Sequence, residues 1–188
     1  MRLLIPALLI TSTLSLVACD KSAPPPPAAV PATDAAPAEG LPPALAAAVP
    51  ERVEVPVNDQ AGEPLLVGAG GQVASEISLP KAGKVVGAGV QIGNFGGSSD
   101  GALAIKLCQG EVCAEGTADL KSSIDNEYLM VKFATPVDLA AAPAVLTLTR
   151  TGGEAPLAVW TYSATAKTTT PDGKTVERSP KLALDLSR

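Results

Sequence analysis

The chain has 188 residues, a formal net charge of −5, no histidine and only five aromatic side chains. An acidic chain without a lysine and arginine cluster lacks the surface that binds nucleic acid or anionic lipid. Without histidine, a catalytic triad of the usual kind and the usual zinc site are both excluded.

The N-terminal segment predicts export. It carries one charge, Arg2, followed by the apolar run LLIPALLI and the polar interruption TST. A transmembrane helix needs about 20 mostly apolar residues, so this shorter run is typical of a signal peptide over residues 1–18. Ordinary cleavage that leaves a free thiol at Cys19 is one interpretation.

The four residues Leu16-Val17-Ala18-Cys19 resemble the lipobox of bacterial lipoproteins. The resemblance implies cleavage before Cys19 and its modification with acyl chains such as palmitate. It predicts a chain anchored in the bacterial envelope by acylated Cys19 and facing the periplasm. Asp20 resembles the inner-membrane retention signal of enteric lipoproteins, but Lys21 follows it, so inner versus outer membrane stays open.

Residues 19–50 are mostly alanine and proline after the cysteine. Such a segment cannot build a core and is predicted to be a disordered tether. A proline-rich chain extends by about 3.1 Å per residue, so the tether places the following domain well away from the bilayer.

Residues 51–188 show apolar residues at alternate positions with frequent Gly, Pro, Asn and Asp between them. The runs VASEISL, VVGAGVQI, ALAIKLC and YLMVKF are examples, and in VVGAGVQI we expect Val86, Ala88, Val90 and Ile92 to share a face. This pattern predicts an all-β, antiparallel, jelly-roll-like β-sandwich, with an open barrel as the alternative. The segment PVDLAAAP is the only candidate helix.

Cys108 and Cys113 remain once Cys19 is assigned to lipidation. They flank a turn in KLCQGEVCAE, a spacing that places them on opposite arms of a hairpin, within disulfide reach if the strand register allows. A structural disulfide is therefore predicted, in preference to a redox or metal site.

The order of SDGALAIKLC, DNEYLMVKF and APLAVWTY resembles β-sandwich accessory modules of bacterial cell-surface glycosyltransferases and other carbohydrate-active proteins. The resemblance covers residues 70–165 approximately. It implies a jelly-roll-like fold and a glycan context, and it transfers no catalytic residue.

Five residues are candidates for ligand binding: Asp100, Asp125, Asn126, Trp160 and Tyr162. Trp160 and Tyr162 share one face of a strand and are either a sugar platform or, as the favoured interpretation, part of the core. Asn94, Asp100, Asp125 and Asn126 lie in two oxygen-rich loops that suit structural calcium, although turn formation explains them more simply.

Asp125 and Glu127 are two residues apart, and a glycosidase needs two carboxyl groups, but we expect these two to be surface charges. The sequence therefore predicts no enzyme, no cofactor and no resident catalytic metal. It favours an envelope lipoprotein whose sandwich binds or scaffolds polysaccharide. The alternative is a structural or assembly lipoprotein that contacts a protein partner in the envelope.

Overall fold

The computed structural model describes residues 49–188, and it is all-β. The signal peptide, Cys19 and nearly all of the predicted tether lie outside the described residues. Eleven strands run through the described part: β1 (Glu51–Glu54), β2 (Asn58–Leu66), β3 (Gln72–Ser78), β4 (Gly83–Gly93), β5 (Ala102–Gln109), β6 (Val112–Asp119), β7 (Tyr128–Leu139), β8 (Pro143–Thr151), β9 (Ala158–Thr169), β10 (Thr175–Pro180) and β11 (Leu182–Leu186).

All strand pairs are antiparallel, in the order β1-β11-β4-β9-β3-β8-β5-β6. β7 pairs with β4, and β2 and β10 pair with β9. Strand β4 joins the two halves of the sandwich. It pairs with β7 and β11 along most of its length, and its last two residues, Ile92 and Gly93, pair with β9. The predicted antiparallel sandwich is confirmed.

Alternation along the strands fills one shared core. Phe133 of β7 is the aromatic side chain of this core, and the rest is aliphatic. The inward-facing residues of β3, β5 and β7 are almost fully buried; among them are Val73, Ile77, Leu103, Ile105, Leu107 and Val131, each at most 3% exposed. Because both halves of the sandwich contribute to one cluster, the described strands form a single packing unit.

The register of β4 differs from the sequence prediction. A register shift between Val85 and Gly87 breaks the alternation, so that Val85 is buried in the core while Val86 is only half-buried. Ala88, Val90 and Ile92 share the core face as expected. The prediction for Val86 is wrong because Asp185 of β11 pairs with Gly87 and the next residue, Leu186, pairs with Val85, which leaves Val86 as the extra residue of a bulge.

The candidate helix PVDLAAAP is not helical. Strand β7 continues through Pro136 to Leu139, paired with the start of β4, and β8 begins at Pro143. Residues 137–139 are held in strand pairing with β4, and the three alanines that follow form the short connection to β8, which leaves no room for a helix. The one helical turn in the described residues is a 3-10 helix, Leu120–Ser122, capped by the Asp119 carboxylate.

The disulfide between Cys108 and Cys113 is confirmed. The two cysteines lie directly opposite each other in the β5–β6 hairpin. Gly110 has a φ of 62°, a conformation that glycine adopts without strain, and it lets the chain reverse within two residues. Among the residues that the structure describes, no helix is long and apolar enough to cross a membrane.

Candidate binding surface

The Asp125 carboxylate holds the loop that follows β4. Its Oδ1 accepts the backbone N–H of Asn94 at 2.7 Å and of Phe95 at 3.1 Å, and its Oδ2 accepts that of Gly96 at 3.1 Å. Successive N–H groups turned toward one carboxylate form a compact anion-binding loop. The two oxygen-rich loops therefore meet, as the sequence hypothesis required but did not show.

Asn126 connects this loop pair to strand β4. Its backbone N–H donates to the carbonyl of Ile92 at 2.9 Å, and its own carbonyl accepts Gln91 Nε2 at 2.8 Å. Gln91 Oε1 in turn accepts the hydroxyl of Tyr162 at 2.8 Å. A continuous chain of contacts thus runs from Asp125 through Asn126 and Gln91 to Tyr162.

Trp160 and Tyr162 lie on the outer face of β9, half-buried, and neither belongs to the core. Val159, on the opposite face of the strand, is fully buried in the core. The favoured interpretation, that both aromatics fill the core, is therefore corrected. The sandwich interior is filled by aliphatic side chains and Phe133, which leaves these two rings at the surface.

Each ring lies over a glycine of a neighbouring strand. A Cβ on Gly93 would be 3.2 Å from Trp160 Nε1, and a Cβ on Gly62 would be 2.9 Å from Tyr162 Cε1. Because neither glycine has a side chain, both rings rest close to the sheet. We call Trp160, Tyr162 and Gln91, which accepts the Tyr162 hydroxyl, the aromatic shelf.

Lys181 and the buried indole N–H of Trp160 define the edges of the aromatic shelf. Lys181 Nζ lies 5.5 Å from the centroid of the Tyr162 ring, within the range of a cation–π interaction. Trp160 Nε1 is buried and has no hydrogen-bond partner among the described residues. The indole N–H edge therefore faces the sheet, while the exposed part of the ring faces away from it.

Asp100 belongs to a different cluster. Its Oδ1 accepts the N–H of Ala155 at 2.9 Å, and its Oδ2 accepts that of Glu154 at 3.2 Å. These two backbone N–H groups, helped by the nearby Arg150 guanidinium, lower the pKa of the Asp100 carboxyl. The structure therefore separates Asp100 from the other four candidate residues by its hydrogen bonds.

Arg150 is the centre of that second cluster and is only 2% exposed. Its Nη1 donates to the carbonyl of Val67 at 2.8 Å, and its Nη2 donates to the carbonyl of Ala155 at 2.7 Å and approaches Asp100 Oδ1 at 3.4 Å. A buried guanidinium needs such partners. Asp100 is accordingly part of a structural cluster that joins three loops.

The calcium hypothesis fits this geometry poorly. Both oxygens of Asp125 already face N–H donors, including Nδ2 of Asn126 at 3.3 Å, and such donors repel a cation. No group of three or more His, Cys, Asp or Glu side chains suited to a metal ion occurs in the described part of the chain. Calcium binding stays a prediction.

Sequence reasoning missed Gln91 and the two glycines beneath the rings. Gln91 is the only long side chain at the outward positions of VGAGVQIG, which was a usable signal. The positions of the two rings over Gly62 and Gly93 depend on which strands are neighbours in the sheet, and the local sequence does not encode that arrangement. Neither a model of a protein family nor a curated protein matches the chain.

Proposed function

We propose that this protein is a bacterial envelope lipoprotein, anchored by acyl chains on Cys19, whose β-sandwich binds envelope polysaccharide without catalysing a reaction. The observation that carries the binding proposal is the half-buried aromatic shelf on the outer face of β9. The lipobox motif supports the anchor, and the tether supports a domain that works at a distance from the bilayer.

Polysaccharide suits the aromatic shelf for a chemical reason. The C–H faces of sugar rings pack against aromatic side chains, and the hydroxyl groups at their edges need hydrogen-bonding partners. The shelf offers two rings and the Gln91 amide, which is hydrogen-bonded to the Tyr162 hydroxyl, and Asn126 lies at its loop end. The hydrogen bond from Tyr162 to Gln91 fixes one ring before a ligand arrives, which limits the ordering needed on binding.

A non-catalytic role is the better proposal for the carboxylates of Asp125 and Glu127. The Asp125 oxygens are occupied by backbone N–H groups and stabilise the loop. The chain also contains no histidine to act as a general base. We therefore assign Asp125 a positioning role and no role in bond cleavage.

The binding proposal is tested by titrating the purified full-length chain in detergent with fractionated envelope polysaccharides. Trp160 is the only tryptophan, so intrinsic fluorescence reports on the aromatic shelf directly. We expect at least one fraction to change the emission. Tyr162→Ala should then weaken binding about tenfold, which corresponds to ~1.4 kcal/mol.

Val145→Ala is the matched control, because Val145 is exposed on the outer face of β8, away from the aromatic shelf. It should leave affinity unchanged. If every fraction leaves Trp160 emission unchanged, the polysaccharide proposal is wrong. The anchor is tested separately: palmitate labelling of the chain should disappear in Cys19→Ser.

A protein partner is the second candidate, favoured by an exposed apolar pair. Phe95 is 56% exposed and Ile124 is 68% exposed, and both belong to the loops that Asp125 joins. Phe95 has a φ of 57°, which is unfavourable for a bulky residue. If Phe95→Ser abolishes a specific crosslink to an envelope protein while polysaccharide has no effect, this second candidate replaces the first.

A further inference from the structure

The outer face of β4 carries almost no side chains of its own. Ala88, Val90 and Ile92 point into the core, so residues 87, 89, 91 and 93 occupy the opposite face. Three of these four are glycines, and the fourth is Gln91 of the aromatic shelf. The floor of this face is therefore mostly main chain.

Side chains of the two neighbouring strands cover and border that floor. On β7, Met130 pairs with Gly89 and lies over it. On β11, Ala183 pairs with Gly89 from the other side and is itself fully buried, so side chains cover the middle of this face. A Cβ on Gly87 would be 2.7 Å from the carbonyl oxygen of Val131, so glycine also permits the close approach of β4 and β7.

A groove of about 470 Å³ lies at the Gly87 end of this face. Val86 and Met130 provide an apolar lining, and Lys132, Asp185 and Ser187 provide polar groups. Gly87 at the groove and Gly93 beneath the Trp160 ring are six residues apart along the strand, so the two ends of this face are about 20 Å apart at roughly 3.3 Å per residue. Met130 lines the groove and also covers Gly89, which is two residues from Gln91, so the groove ends next to the aromatic shelf.

We propose that the aromatic shelf and this groove form one track along β4 for an extended, neutral polysaccharide chain. This inference rests on the proposed function and adds the length and charge class of the ligand. A single sugar unit cannot reach both ends of the track, whereas a polymer can.

The charges at the groove favour a neutral polymer over a polyanion. Lys132 and Asp185 line it with opposite charges, and Arg52 pairs with Asp185 at 2.9 Å. No single sign of charge therefore dominates the lining. The chain as a whole carries a formal net charge of −5, which opposes the approach of a polyanion.

The test uses the full-length chain and oligosaccharides of graded length, prepared from the polysaccharide fraction that changes Trp160 emission. We expect affinity to rise with length until the chain spans the track. Ser187→Phe adds bulk at the exposed edge of the groove and should weaken binding of long oligosaccharides on the order of tenfold, with disaccharide binding unchanged. Ser187→Ala is the matched control.

The two proposals fail in different ways. Disaccharide binding with no gain in affinity at greater length overturns the track and leaves the proposed function intact. Full binding of long oligosaccharides by Ser187→Phe also overturns the track. An absence of binding by every oligosaccharide and every parent fraction overturns both proposals.

Discussion

The role of Asp125 in holding the loop that follows β4 gives a quantitative prediction. Asp125→Ala removes the acceptor for the backbone N–H groups of Asn94, Phe95 and Gly96. Water can replace it at the exposed Phe95 and Gly96, but Asn94 is only 4% exposed, so its N–H stays unpaired. Since a hydrogen bond to a charged group contributes roughly 1.5–3 kcal/mol, we expect about 2–3 kcal/mol of destabilisation.

Urea denaturation of the full-length chain measures this change, and amide hydrogen exchange locates it. Exchange should accelerate at Asn94, Phe95 and Gly96 before it does so in the core strands. Asp138→Ala is the matched control, because Asp138 is an exposed aspartate on β7. A destabilisation below ~1 kcal/mol, with unchanged exchange at the three amides, would refute the hydrogen-bond reasoning.

Three further predictions concern parts of the fold outside the aromatic shelf. Arg150→Leu leaves buried carbonyl groups without their donor and should destabilise the domain by about 3–5 kcal/mol in urea denaturation. Reduction of Cys108–Cys113 should cost roughly 2 kcal/mol by the same measurement, because the closed loop is short. The pKa of Asp172 is lowered to about 2, mainly by the hydrogen bond from the Lys174 side chain. Because this folded-state pKa is depressed, its stabilising contribution is present above the ordinary pKa of 3.8 and is lost as pH falls through about 2; carboxyl NMR titration should show that midpoint, and Lys174→Ala should raise it.

The strands could be predicted from the sequence because their two faces have different surroundings. In β5 and in the first half of β7 the core side and the solvent side alternate, so the apolar pattern identifies both the strand and its buried face. The disulfide was also predictable, since a hairpin is a local structure. The bulge at Val86 was not, because it depends on how β4 pairs with β11, a strand distant in sequence.

Individual residues of the candidate site could be predicted from the sequence, but the contacts that join them could not. Asp125, Asn126, Trp160 and Tyr162 were recognised by residue type, but the link through Gln91 depends on loops and strands distant in sequence. Arg150 shows the same limit. It continues the inward alternation of β8, yet its partners come from other loops. Contacts between residues so far apart in sequence can be predicted only when the arrangement of the strands is known.

The glycines beneath the two rings, Gly62 and Gly93, indicate that the aromatic shelf has a role besides packing. Glycine inside a strand costs roughly 0.5–1 kcal/mol relative to alanine, and an aromatic ring over it recovers part of that stability. A side chain at Gly62 or Gly93 would displace the ring above it, since its Cβ would lie 2.9 Å from Tyr162 Cε1 or 3.2 Å from Trp160 Nε1. What glycine adds is a ring held low on the sheet with its outer part exposed, and that is the arrangement a sugar-binding surface needs.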